Sequence, residues 1–533
     1  MHADERTTST GGLMTRRRVL AIGAGAGVVG LTAAMSGAWG ATGRHGGRVV
    51  EPFALGIASG DPLPDGVVLW TRLAPDPLQP GGGMPNRNVP VQWQVAEDER
   101  FKRVAARGTA LARPDGAHAV HVEVEGLRPG REYFYRFKAG PELSPVGRTK
   151  TAPAPHEDPR RLAFAFASCQ MYEHGYFTAF KHMAAEDLDL VVHLGDYIYE
   201  HGPNEYVGRS GNVRLHVGDE IASLEDYRRR HAQYKTDADL QAAHAASAWI
   251  VTFDDHEVDN NWAGGVPENT AGPNATRESF LARRAAAFQA YYEHMPLRAG
   301  ARPVGPDMLA YRRLTFGRMA EFSALDTRQY RSDQACGDGS RAGCAARLDP
   351  SRTMTGPQQE RWLLRGLEGS RARWNVIAQQ VFMAQRDIDP GPPQRFSMDA
   401  WDGYVAGRDR ILAHLQSRAV ANPIVLTGDV HRSWVADLKV DFDDSSAIVG
   451  SEFVGSSISS TGDGSAENQD AVIAANPHLK FFEDQRGYMR CRLDAERWRT
   501  DVRIVPYVSR PGAPVSTSAS FVVRSGVPGV HAA

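Results

Sequence analysis

The chain of 533 residues is 42% hydrophobic and 23% charged, with a formal net charge of -2. This length and apolar content suit a folded protein with two substantial cores and exclude a chain that is disordered throughout. The balanced charge supplies no global field for nucleic acid or an anionic membrane, and neither a repeat period nor a low-complexity block is present.

In chain order, Thr15-Arg16-Arg17-Arg18-Val19-Leu20 precedes an apolar stretch rich in Gly and Ala over residues 21–34, with small residues at 36–41. Basic, apolar and small-residue regions in that order predict a cleaved twin-arginine export signal over residues 1–41. The alternative is an uncleaved anchor, for which the apolar run is short. Export by this route predicts a secreted, periplasmic or cell-wall-associated protein with no stable membrane insertion after cleavage.

Residues 48–152 form a predicted N-terminal β-sandwich domain. Val67-Val-Leu-Trp-Thr-Arg-Leu73, Val91-Gln-Trp-Gln-Val95 and Val120-His-Val-Glu-Val124 alternate apolar and polar residues between Gly, Pro and Asp turns, as half-buried antiparallel strands do. Leu127-Arg-Pro-Gly-Arg-Glu-Tyr-Phe-Tyr-Arg-Phe137 is similar to the tyrosine corner of fibronectin type III-like sandwiches. Thr151-Ala-Pro-Ala-Pro-His-Glu-Asp-Pro159 reads as a stiff, exposed linker. A second domain, 160–525, alternates apolar runs with helical periodicity at 176–186, 223–246, 276–294, 356–369 and 402–417, an α/β pattern. Strands are expected at Trp374-Asn-Val-Ile-Ala378 and Ala320-Glu-Phe-Ser-Ala-Leu325, and the polar loops 201–217 and 262–274 are placed to rim a site. Cys336 and Cys344 bracket a loop that a disulfide would close in an oxidising compartment, whereas Cys491 reads as a small buried hydrophobe.

Four apolar runs in this second region end on ligand-type side chains: Phe164-Ala-Phe-Ala-Ser-Cys169, Val191-Val-His-Leu-Gly-Asp196-Tyr-Ile-Tyr199, Ile250-Val-Thr-Phe-Asp-Asp255-His256-Glu257 and Ile424-Val-Leu-Thr-Gly-Asp429-Val-His431. Buried parallel strands have this texture, and open α/β sheets bind ligands beyond their carboxyl ends. A single Gly-Asp is usually a turn; four such endings in one chain imply a shared site. Thiolate of Cys169, carboxylate of Asp196, phenolate of Tyr199 and imidazole of His431 suit iron, with Zn2+ also compatible, while Asp255 and Asp429 offer oxygen donors to Ca2+, Mg2+ or Mn2+. Two ions about 4 Å apart are a common device for hydrolysing phosphate esters. His256 is placed to protonate the leaving alkoxide or to contact the phosphate.

The order Cys, Gly-Asp-x-x-Tyr, Asp-His-Glu, Gly-Asp-Val-His resembles the calcineurin-like metallophosphoesterases, related to purple acid phosphatases, and most of all the PhoD-like alkaline phosphatase/phospholipase D family. Gly60-Asp61-Pro62, Leu325-Asp-Thr-Arg-Gln-Tyr-Arg331, Trp401-Asp-Gly-Tyr404 and Thr427-Gly-Asp-Val-His-Arg-Ser-Trp434 extend the resemblance over nearly all of the mature chain. It implies an α/β (α+β) fold, a metallophosphoesterase-type β-sandwich flanked by helices and preceded by a small fibronectin type III-like all-β domain. By the same resemblance Asp196 bridges two metals, Tyr199 and Cys169 bind Fe3+, and Asp255 and Asp429 stand where neutral donors are usual, favouring Ca2+ at the second site over Zn2+. Asn260 or Asn261 adds a carbonyl ligand, and Arg328 either pairs with phosphate or forms a structural salt bridge.

The resulting expectation is a secreted phosphoric ester hydrolase, an alkaline phosphatase/phosphodiesterase that releases inorganic phosphate from small mono- and diesters by metal-activated hydroxide. Its other partner is the twin-arginine export machinery, and no nucleic-acid-specific binding is expected. Phospholipase D-type cleavage of phospholipids is the alternative, although no exposed apolar or basic amphipathic segment follows the signal. An adhesion protein with an inert α/β scaffold would lack stoichiometric iron.

Overall fold

The computed structural model describes residues 51–533, so the twin-arginine segment lies outside the described residues. Two sheets face each other at the centre of the fold. In the ten-stranded sheet, Leu162–Ala167, Leu190–His193 and Ala248–Val251 run parallel. In the seven-stranded sheet, Ala320–Ala324, Trp374–Ala378, Pro423–Thr427 and Ile448–Val454 do the same.

Strand alternation explains the unbroken apolar runs. Phe164, Phe166, Val192 and Ile250 point between the sheets and meet Phe322, Val376, Ile424 and Leu426. Their neighbours Ala165, Val191, Trp249 and Val251 point the other way, into a core shared with Phe180, Tyr227, Leu240 and Phe288 of the covering helices. Both faces are buried, so both are mainly apolar. The fold is a mixed α/β sandwich flanked by helices.

The N-terminal region is all-β. Ile57–Leu63, Gly66–Arg72 and Ala119–Val124 continue the ten-stranded sheet, the first of them pairing in parallel with Ala248–Val251. Val89–Ala96, Val104–Ala112 and Glu132–Ala139, with two short strands, make a separate five-stranded sheet. Val67, Leu69, Val91, Val95, Tyr135 and Phe137 share one core between these layers. The N–H of Arg128 donates to the Tyr133 hydroxyl at 2.9 Å, the contact expected of a tyrosine corner. Asp61, from the Gly60-Asp61-Pro62 phrase, accepts from Arg312 Nη2 at 2.7 Å and ties this region to the edge of the seven-stranded sheet.

Several local expectations change. The segment 223–246 is two helices, Leu224–Lys235 and Ala238–Ala246, because Asp237 turns extended and its carboxylate accepts the N–H groups of Asp239 and Leu240. A side chain that caps a new helix competes with continuation of the old one. The Pro-rich linker is exposed only over 155–158; Thr151 and Ala152 are buried, and the Ala152 N–H donates to Leu63 O. The helix expected from residue 402 begins as a 3-10 turn at Trp401–Gly403 and becomes α-helical over Val405–Ser417. Cys336 and Cys344 are joined as a disulfide, and Cys491 is buried in the strand Arg486–Leu493.

Candidate metal centre

The strands that carry the candidate ligands finish on one side of the sandwich, where Ser168 bridges to Ser457 across the two sheets. Immediately beyond, four candidate ligands adopt left-handed backbone: Cys169 (φ 60°), Asp196 (φ 54°), Asp429 (φ 65°) and His431 (φ 56°). Each such residue costs on the order of 1 kcal/mol or more, and surroundings must hold it there. Here they do. The Cys169 N–H donates to Gly195 O, and the N–H groups of Asp196, Tyr197 and Asp254 all donate to the carboxylate of Glu257, at 3.1, 2.7 and 2.8 Å. Glu257 thus fastens two ligand turns together from a fully buried position.

The Gly of each Gly-Asp pair has a steric reason. At Gly195 (φ 106°) a Cβ would sit 2.4 Å from Asp254 Cβ, and at Gly428 one would sit 2.8 Å from Ser168 Oγ. Side chains there would push the ligand turns apart.

Donor atoms of Cys169, Asp196 and His431 lie within 4.8 Å of one another; so do those of Asp196, Asp255 and His256, and those of Asp254, Asp255 and Asp429. Asp196 and Asp255 each belong to two groups, so the three form one continuous patch. The Tyr199 hydroxyl joins the first group, donating to Asp196 Oδ2 at 3.0 Å and lying 3.2 Å from His431 Nε2. A fourth group, Glu200, His201 and His256, borders the patch.

Electrostatics shows what this patch lacks. Asp196 Oδ1, Asp254 Oδ2 and Asp255 Oδ1 are buried without a hydrogen-bond partner. Burial, with mutual repulsion between Asp196 and Asp255, raises the Asp196 carboxyl well above the usual range, and burial carries Asp254 to about 7. Desolvation and the nearby Asp196 charge do the same to the Cys169 thiol and Tyr199 phenol. Burial pushes His256 down, but Glu200, Asp255 and Asp196 outweigh it and hold the imidazole well above its ordinary value. Crowded acids with open lone pairs are the donor set that cations relieve. The residues therefore fit metal ions.

Arg328 supplies part of the balancing charge. It is fully buried, with Nε on Asp254 at 2.5 Å and Nη1 on Asp399 at 2.9 Å, while Nη2 lies 3.4 Å from Asp255 without a hydrogen bond. Asn260 holds its side chain on Glu268, whereas the Asn261 backbone N–H donates to Asp255 Oδ2 at 2.8 Å. The loop 201–217 reaches the patch through His201, whose ring meets those of His256 and Tyr206 edge to face; Trp262, expected at the rim, is instead core.

Several participants were not singled out from sequence. Asp254 extends the carboxylate group, Asp399 pins Arg328, Ser460 Oγ donates to the Tyr199 hydroxyl at 2.7 Å, and Thr461 Oγ1 lies 2.9 Å from His431 Nδ1. Asp254 stood inside a motif phrase; Asp399, Ser460 and Thr461 had no local pattern to mark them.

Residues 164–502 match the family model described as PhoD-like phosphatase, and residues 41–153 match the one described as the PhoD-like phosphatase N-terminal domain. The chain is 55% identical to alkaline phosphatase D of Bacillus subtilis (strain 168) over 483 residues, which is 90% of this chain and 82% of the relative. A solved structure described as the structure of PhoD is 54% identical, covers 92% of this chain and 93% of its own, and superposes with a TM-score of 0.89. The chain therefore belongs to the PhoD-like phosphatase family and is, as an enzyme, a phosphoric ester hydrolase.

Proposed function

We propose that this enzyme is an exported alkaline phosphatase/phosphodiesterase that takes small phosphate mono- and diesters and releases inorganic phosphate. The observation that carries the reading is the meeting of Cys169, Asp196, Tyr199 and His431 with Asp254, Asp255 and Asp429 in one over-acidic, buried patch. Cys169, Asp196, Tyr199 and His431 would hold Fe3+, since phenolate and thiolate suit a trivalent ion. The all-oxygen group of Asp254, Asp255 and Asp429 would hold Ca2+, with Asn260 or Asn261 as a further donor. Asp196 and Asp255, common to two groups each, would join the two positions. When bound, such ions neutralise phosphoryl oxygens and lower the pKa of water.

The chain's own groups then account for proton handling and orientation. Glu200 Oε2 lies 2.7 Å from His256 Nδ1, which leaves Nε2 to give a proton to the departing alkoxide. Arg328 turns Nη2 toward Asp255 and Asp429, so it orients the carboxylates and faces any phosphate they help to bind. No helix among the described residues is long and apolar enough to cross a membrane. Export through the twin-arginine route, with a signal over 1–41, an N-terminal domain over 48–152 and a catalytic domain over 160–525, completes the proposal.

Protein exported through its own signal should contain iron and calcium in stoichiometric amounts. It should hydrolyse nitrophenyl phosphate and its bis-ester at alkaline pH faster than phosphatidylcholine. Protein without bound iron that is nevertheless fully active would sink the metal assignment; preference for phosphatidylcholine would move the enzyme to phospholipid cleavage.

A further inference from the structure

The strands that end at the metal centre begin at a second cavity. A space of about 670 Å3 opens at the amino ends of Trp374–Ala378, Pro423–Thr427 and Ile448–Val454. Asn422 lines it and Asp429 belongs to the metal patch, so at the rise of an extended strand the two sites are about 20 Å apart.

Its walls are apolar and its rim is basic. Leu415 and Val420 line one wall from the end of the helix Val405–Ser417; Val449 and Val527 line others, and Val527 is 48% exposed. Arg318, Arg371 and Arg373 stand around the opening against one carboxylate, Asp158, which is 4.0 Å from Arg373. Among the described residues Arg318 and Arg371 form no ion pair, and Arg373 Nε is buried without a partner. Ser451, 1% exposed, lines the same cavity with its Oγ unpartnered.

The cavity is preformed. Asn422 Nδ2 donates to Arg373 O at 2.7 Å and to Ser525 Oγ at 3.1 Å, while its Oδ1 accepts the Gly526 N–H at 2.6 Å. One side chain therefore clamps the Arg373 strand and the last hairpin together, and binding does not have to order them. The volume lies in the range of small-molecule sites.

We infer that this cavity is a second binding site, distinct from the metal centre, for a small amphiphile with an anionic head and a short alkyl body. Arg371 and Arg373 receive the head; Val420, Val449 and Val527 receive the body. An inorganic anion would leave the apolar walls wetted, and a neutral alcohol would leave the guanidinium groups without a counter-charge. Three cations against one carboxylate set the sign of the head.

The test uses metal-loaded full-length enzyme and octanoate, which contains no phosphate ester to be cleaved. Calorimetric titration should show octanoate binding at least tenfold tighter than octan-1-ol or sulfate. Arg371→Gln/Arg373→Gln and Val527→Asp should each weaken octanoate at least tenfold, with nitrophenyl phosphate turnover unchanged as proof of an intact fold and centre. The inference is overturned if octanoate does not bind, if octan-1-ol or sulfate matches it, if both variants bind it normally, or if its binding is wholly competitive with nitrophenyl phosphate. Octanoate binding itself depends neither on which metals are bound nor on the preferred ester.

Discussion

Glu200 Oε2 lies 2.7 Å from Nδ1 of His256, while Glu200 Oε1 accepts the backbone N–H of Asn260 at 2.9 Å. The carboxylate is thereby fixed from both sides, and it leaves the other imidazole nitrogen for the proton transfer proposed above. Glu200→Gln should lower kcat about tenfold to hundredfold, part of the span attributed to general acid catalysis. The loss should be larger for an alkyl phosphate, whose alkoxide needs a proton, than for nitrophenyl phosphate. An equal loss on both substrates would remove His256 from the proton-donor role.

Tyr199 and Cys169 are expected to colour the enzyme. Phenolate and thiolate bound to a trivalent ion give ligand-to-metal charge transfer, so Tyr199→Phe and Cys169→Ser should each shift or erase the visible band of purified enzyme. Removal of calcium with a chelator should abolish most activity and leave the band in place, because the carboxylate group of Asp254, Asp255 and Asp429 is separate from the thiol and phenol. Identical spectra for both variants and wild type would refute the iron assignment.

Asp399 accepts from both Arg328, at 2.9 Å, and Arg331, at 2.5 Å. Those two guanidinium groups draw its carboxyl well below the usual range despite burial. Asp399→Asn leaves two buried cations short of a counter-charge, a change that costs about 3–5 kcal/mol in comparable buried pairs. The variant should unfold at clearly lower urea concentration and bind calcium more weakly, since Arg328 also holds Asp254. An unchanged midpoint would show that Arg328 is balanced without it.

Lys235 is buried at the end of its helix, and among the described residues it forms no ion pair with a carboxylate. Its Nζ sits 4.4 Å over the Trp70 ring, 5.1 Å over that of Tyr197, and 3.5 Å from His244 Nε2. Burial carries its pKa down from 10.5 to about 7. Between those values the unfolded chain keeps a proton that the folded chain has released, so stability rises with pH from about 7 to 10.5, and the full cost is present below 7. Lys235→Met should remove that rise and stabilise the protein at neutral pH by about 3–5 kcal/mol. Urea unfolding of both proteins at pH 7 and pH 10 decides it; parallel pH profiles would show that the ammonium finds a partner.

The fold was readable wherever burial is two-sided. The runs ending at Cys169, Asp196, Asp255 and Asp429 are mainly apolar because each strand lies between the other sheet and a helical layer, and that texture survives in the sequence. The split at Asp237 was not readable, since an Asp inside a helical pattern fits a solvated face as well as a cap. Nor was the burial of Thr151 and Ala152, which depends on a backbone bond to Leu63, far away in the chain.

Residue type alone marked the candidate donors: a thiol, a phenol, imidazoles and carboxylates following strand-like runs, which the structure brings into one patch. Which of them lie together, that Glu257 locks two turns together, and that Arg328 is held among Asp254, Asp399 and Asp255 were decided only when distant strands came into register. The reason is that ligand identity is a property of one side chain, whereas charge balance and left-handed backbone are properties of its neighbours. Those neighbours arrive from segments more than two hundred residues apart, as Tyr199 and His431 do at 3.2 Å.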